Sequence, residues 1–200
     1  MANPNPTPDE VLEVVFESIN TGIRNNATNI AFQQVRTAPE RLVVHLSAFE
    51  LYQQLEERWA GQFRVLLERK RRHDLLVRPI NEAEPPFVFE FKVPWSRNLI
   101  VGPIVKDFEK VLKDTHTHGY VVTVFLKLLE TPDWALQRGG GYGVEQLVEQ
   151  LETAVRGHRV VRSAEVIKKG SPIQINSAET RIECTVLVWK PIATGEVSAA

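Results

Sequence analysis

The run Tyr120–Leu129 (YVVTVFLKLL) constrains this chain more than any other segment, because only Thr123 and Lys127 interrupt its apolar residues. A strand with one wet face alternates apolar and polar residues, whereas a strand covered on both faces reads as a nearly continuous apolar run. The segment is too short to cross a bilayer as a helix, and no apolar run here approaches the ~18 residues that a crossing needs. It therefore predicts an interior strand with packing on both sides. Helical and strand spacing alternate along the rest of the chain, which predicts an α+β fold in which helices back antiparallel sheets.

Composition narrows the functions worth arguing. The chain has 200 residues, 43% hydrophobic and 24% charged, which suits one large domain or two small ones and excludes disordered, collagen-like and coiled-coil classes. Lys and Arg number 24 against 25 Asp and Glu, so no global charge draws the chain to nucleic acid or to an anionic membrane. Cys184 is the single cysteine, which rules out an internal disulfide and a multi-cysteine zinc site and fits a reducing compartment. Met1–Pro8 lacks the charged start and apolar stretch of a signal peptide.

Residues 1–8 read as an extended arm with alternating Asn and Pro. Thr7-Pro8-Asp9-Glu10 is a helix start with a capping box, and Val11, Leu12, Val15, Phe16, Ile19 and Ile23 follow at helical spacing. Arg41–Leu46 is short and β-branched, which predicts a strand. Ser47-Ala48-Phe49-Glu50 reads as a second capping box, opening a helix to about His73 with Tyr52, Leu55, Trp59, Phe63 and Leu66 on one face. Leu75–Ile80 and Phe87–Val93 read as strands, the latter half-buried with Glu90 outward. Residues 9–93 thus form one lobe, and 94–103, with two prolines and Gly102, a linker. The second lobe, 104–192, holds a helix ending near Gly119, the strand Tyr120–Leu129, a helix closed by Gly157, and strands at 159–167 and 180–190. In the last strand Ile182, Cys184, Val186 and Val188 read as inward. Residues 193–200 read as a flexible tail. Each lobe then follows the order helix, strand, helix, strand, strand, a possible tandem repeat.

Little in this chain carries recognisable chemistry. His116 and His118 are spaced to share a face and suit two zinc ligands, but no third ligand is tied to them, and a pair at a helix end also answers the helix dipole; no metal site is assigned. Arg138-Gly139-Gly140-Gly141-Tyr142-Gly143 leads into a helix and could hold an anion, yet it lacks the Lys-Ser/Thr of a P-loop, and four glycines equally make a flexible connection. No nucleophile–base order is present, so neither catalytic residues nor a cofactor is expected. The strongest charge run, Arg69, Lys70, Arg71 and Arg72, suits either a solvated helix end or contact with nucleic acid or an acidic protein. Trp95 and Trp134 sit in connections, where exposed tryptophan favours an interface, and Arg138 and Tyr142 join them as candidate interface residues.

The helix Pro103–Asp114, the strand YVVTVFLKLL, Gly140-Gly141-Tyr142-Gly143 opening VEQLVEQLETAVRG, and a hairpin ending in TRIECTVLVW together resemble the bacteriophage tail-completion or tail-terminator proteins. The resemblance covers about residues 103–190. It implies a small α+β protein that closes a tail tube as a homo-oligomeric, often hexameric, ring, with other tail or neck proteins as partners. It also implies a place in the virion tail after assembly in the host cytoplasm; charge and the lack of a long apolar run point to no membrane partner. The amino-terminal half departs from that pattern: PERLVVHLSAFELYQQL, within 36–93, resembles instead the domain found ahead of forkhead-associated domains in some bacterial proteins. The alternative to an assembly role is a nucleic-acid- or acidic-protein-binding module built on the run at 69–72.

Overall fold

The structure, a computed structural model, describes residues 6–26, 39–67, 73–94, 101–129, 143–176 and 181–195. Among them are four helices and seven strands, an α+β fold. The helices are α1 (Pro8–Asn25), α2 (Pro39–Trp59), α3 (Val101–Lys113) and α4 (Val144–Val155). The strands are β1 (Phe63–Leu67), β2 (Leu75–Pro79), β3 (Phe87–Lys92), β4 (His118–Leu128), β5 (Val161–Lys169), β6 (Ile173–Asn176) and β7 (Arg181–Ala193). The chain divides into two compact units. The first runs to Val88 and includes His116–His118; the second takes the remainder.

In the first unit, α1 begins with the capping box expected of Thr7. The Thr7 hydroxyl accepts from the Glu10 amide at 3.3 Å, and the Glu10 carboxylate accepts from the Thr7 amide at 2.7 Å. Val11, Leu12, Val15, Ile19 and Ile23 are buried. The segment expected to be a strand, Arg41–Leu46, is instead the first part of α2, and Ser47 caps nothing. Its hydroxyl donates back to the Val43 carbonyl at 2.7 Å, in mid-helix. The physical reason is packing. Val43, Val44, Ser47, Ala48, Leu51 and Leu55 form a helical stripe buried in this unit, and burial outweighs the weak strand preference of two adjacent valines. Gly22 lets the two helices close, since a Cβ there would sit 3.1 Å from the carbonyl of Leu46. The helix also stops earlier than His73, at Trp59, so Phe63 and Leu66 belong to β1, which pairs antiparallel with β2 from Phe63↔Pro79 to Leu67↔Leu75. Among the described residues of the first half the order is helix, helix, strand, strand, strand, so it does not show the helix, strand, helix, strand, strand pattern expected of it.

In the second unit the strand order is β3, β4, β7, β5, with β6 also on β7. β4 pairs antiparallel with β7 from Val121↔Trp189 to Leu128↔Ile182. β3 and β4 run parallel, since Phe87 stacks near His118 and Phe89 near Tyr120, advancing in step along both strands. The sheet is therefore mixed rather than purely antiparallel. Parallel neighbours need a long crossover, and the connection between them contains α3. Gly102 and Pro103, read as linker, lie in the first turn of that helix.

Burial follows the expectation for YVVTVFLKLL as far as Leu126, every residue from Tyr120 to Leu126 being buried, whereas Leu129, past the end of β4, is exposed. β7 is more enclosed than its alternation suggested, because Thr185 and Leu187 are buried as well as Cys184, Val186 and Val188. Phe108 of α3 lies 6.0 Å from Trp189, at the centre of this core. α4 buries Val144, Leu147, Leu151 and Val155 and ends, as expected, ahead of Gly157, whose φ of 77° is the left-handed conformation that glycine adopts without strain.

Candidate functional site

Arg69, Lys70, Arg71, Arg72, Trp95, Trp134, Arg138 and Tyr142 all lie outside the described residues. Their chain neighbours are described. Leu67 ends β1 and Leu75 begins β2, so the basic run falls in the connection between two paired strands. Gly143 is the N-cap of α4. Its amide donates to the Gln146 side chain at 2.7 Å. Glu145 sits in the first turn, its carboxyl held below the usual range by its own backbone amide and by Lys169. A carboxylate at this position already answers the positive end of the helix, which weakens an anion-holding role there. His118 starts β4 with its ring 4.8 Å from Phe87, and among the described residues no three His, Cys, Asp or Glu side chains are grouped to hold a metal ion.

Charge is deployed inside the second unit in a way the sequence reading missed. Glu90, expected outward, is 2% exposed. Lys110 of α3 lies 2.7 Å from its carboxylate, while Lys92, on the same side of β3, lies 3.2 Å from Asp107, one turn earlier on α3. The strand presents minus then plus and the helix presents the complement, so the two pairs fix how α3 lies along β3. A third link joins α3 to the turn after α4. His158 accepts the amides of Val160 and Val161 at Nδ1, and its Nε2 lies 3.1 Å from Glu109. Acceptance at Nδ1 leaves Nε2 as the ring nitrogen turned toward the carboxylate. These contacts are architectural. The signal that could have revealed them is the pairing of Glu90 and Lys92 with charges three apart on the next helix.

The outward-facing features are different in kind. On α2, Phe49 is 62% and Tyr52 54% exposed, against an expectation that Tyr52 belongs to the buried stripe. Arg41 and His45 are exposed on the same side toward the start of the helix, with part-exposed Glu56 toward its end. Beside this face an open cleft of about 260 Å³ is lined by Glu40, Arg41, Val44, His45, Leu67 and Asp74. That is smaller than the roughly 300–1,000 Å³ of an ordinary ligand pocket, so the feature is a groove at the margin of a surface.

The sheet edges also differ from one another. β5 carries two register shifts and the charges Arg162, Glu165, Lys168 and Lys169, the usual devices against further strand pairing. β1 pairs without interruption, and its Leu66 is 43% exposed. The described surface therefore offers contact area, in the form of exposed aromatics and an apolar edge. The chain matches no protein-family profile, no curated protein and no solved structure.

Proposed function

We propose that this chain is a structural, non-enzymatic assembly protein of a phage tail, of the tail-terminator or tail-completion kind. It works as a homo-oligomeric ring at the junction of tail and neck and binds other tail or neck proteins there. The observation that carries the reading is the element order of the second unit. α3, the eleven-residue β4, α4 and the β5–β7 antiparallel pair succeed one another in the arrangement on which the resemblance rests. Exposed apolar residues support it, since Phe49, Tyr52 and Leu66 lie on the surface, where large hydrophobic side chains favour protein contact. In this reading Trp95, Trp134, Arg138 and Tyr142 are contact residues. The bulged, charged β5 leaves β1 as the edge better suited to a neighbour.

Light scattering and negative-stain imaging of the purified chain test the proposal. Closed rings are expected, and Trp134→Ala should raise the subunit dissociation constant by roughly 30-fold or more if the indole is a central contact. A species that stays monomeric at high concentration, with or without tail-tube protein, overturns it.

A further inference from the structure

We propose that the outward face of α2 is a two-fold docking surface for a second copy of this chain, the two helices lying antiparallel. Arg41, His45, Phe49, Tyr52 and Glu56 are separated by four, four, three and four residues, so they share one side of the helix and form a stripe about 22 Å long at 1.5 Å per residue. The stripe is ordered: cation and imidazole at its start, two exposed aromatics in its middle, a carboxylate at its end. That order is complementary to its own reverse. With the two-fold axis between Phe49 and Tyr52, each Phe49 meets Tyr52 of the second copy. At both ends His45, with Arg41 one turn beyond, faces Glu56 of the second copy. A parallel arrangement, by contrast, would set each charge against its like. Antiparallel helices also oppose their dipoles favourably.

Charge complementarity selects a second copy over an unrelated partner, because an isologous contact requires one patch to fit itself. The same helix meets the rest of its unit through Val43, Ser47, Leu51 and Leu55, so Phe49 and Tyr52 take no part in that core; Glu56 accepts the Gly61 amide at 3.3 Å through one carboxylate oxygen. This contact goes beyond the ring reading. A ring closes by head-to-tail contacts, whereas this one is satisfied by two copies, and it uses none of Trp95, Trp134, Arg138 and Tyr142.

Sedimentation of the full chain over a range of concentrations tests the inference with three variants. Phe49→Asp with Tyr52→Asp should weaken the two-copy contact by about 100-fold or more. His45→Glu alone sets carboxylate against Glu56 at both ends, and Glu56→Lys alone sets Lys against Arg41 and His45; each should weaken it by about 10-fold. An equimolar mixture of these two single variants makes every end attractive again and should recover an affinity within about 3-fold of the parent. Circular dichroism checks that each variant folds, and the mixture carries the test should the aromatic double variant not fold. Failure of the mixture to associate better than its components overturns the inference. A ring undisturbed by any of the three overturns it while leaving the ring reading in place, and a monomer at every concentration overturns both.

Discussion

The indole N–H of Trp189 donates to the Thr123 hydroxyl at 2.8 Å, and both residues are fully enclosed. Thr123 is the polar interruption in the apolar half of β4, and Trp189 is among the largest buried side chains of the molecule. The register sets Val121 opposite Trp189 and Thr123 opposite Leu187, so the bond runs diagonally across two central strands.

Thr123→Val keeps the shape of the side chain and removes the acceptor, leaving an indole N–H in a dry core. The expected loss is about 1–3 kcal/mol in urea unfolding, with Thr123→Ser retaining most of the stability. Equal stability of the valine variant would show that the hydroxyl does not serve the indole.

Lys110→Met should leave the carboxylate of Glu90 buried beside an apolar chain. Removing one partner of a fully buried pair costs about 3–5 kcal/mol, and the 36% exposure of the Lys110 side chain lowers the expectation to about 1–3 kcal/mol. Combining it with Glu90→Gln should recover part of the loss, which a double-mutant cycle measures.

The amino-terminal cap gives a pH dependence of defined sign. The Thr7 amide, and then its hydroxyl, hold the Glu10 carboxyl below its ordinary value of 4.5. A lowered folded-state pKa means the contribution is complete above 4.5 and is lost as the pH falls through the folded value. Thr7→Ala should cost about 1 kcal/mol at neutral pH, and the difference from the parent should shrink in acid.

Burial pushes the Cys184 thiol from its ordinary 9.0 up to about 12. The native thiol should therefore resist an aromatic disulfide reagent at pH 8 and react only on unfolding. Here the folded-state value is raised, so the contribution is present below pH 9 and declines as the pH climbs toward 12. Cys184→Ala should flatten that part of the alkaline stability curve.

The second unit was far more legible than the first, for reasons visible in individual residues. Tyr120–Leu129 announces an interior strand because nothing else accommodates such a run, and Val144, Leu147, Leu151 and Val155 announce a helix by spacing. Arg41–Leu46 misleads because Val43 and Val44 favour a strand locally, while the stripe that decides the matter runs on through Ser47, Leu51 and Leu55. Ser47 and Glu50 imitate a helix start, since a mid-helix serine bonding its own backbone has the same neighbours as a cap. Glu90 could not be placed inward without knowing that Lys110 would reach it. Tyr52 and Phe49 were legible as apolar residues, but their exposure depends on which stripe α1 selects.

β4 is joined on one side to a strand roughly 60 residues downstream in sequence. During synthesis it leaves the ribosome well before β7 can cover it, exposing an apolar segment with high strand preference and little charge. A chain halted short of residue 181 would keep that segment uncovered and should precipitate, which makes the last strand the step on which soluble yield turns.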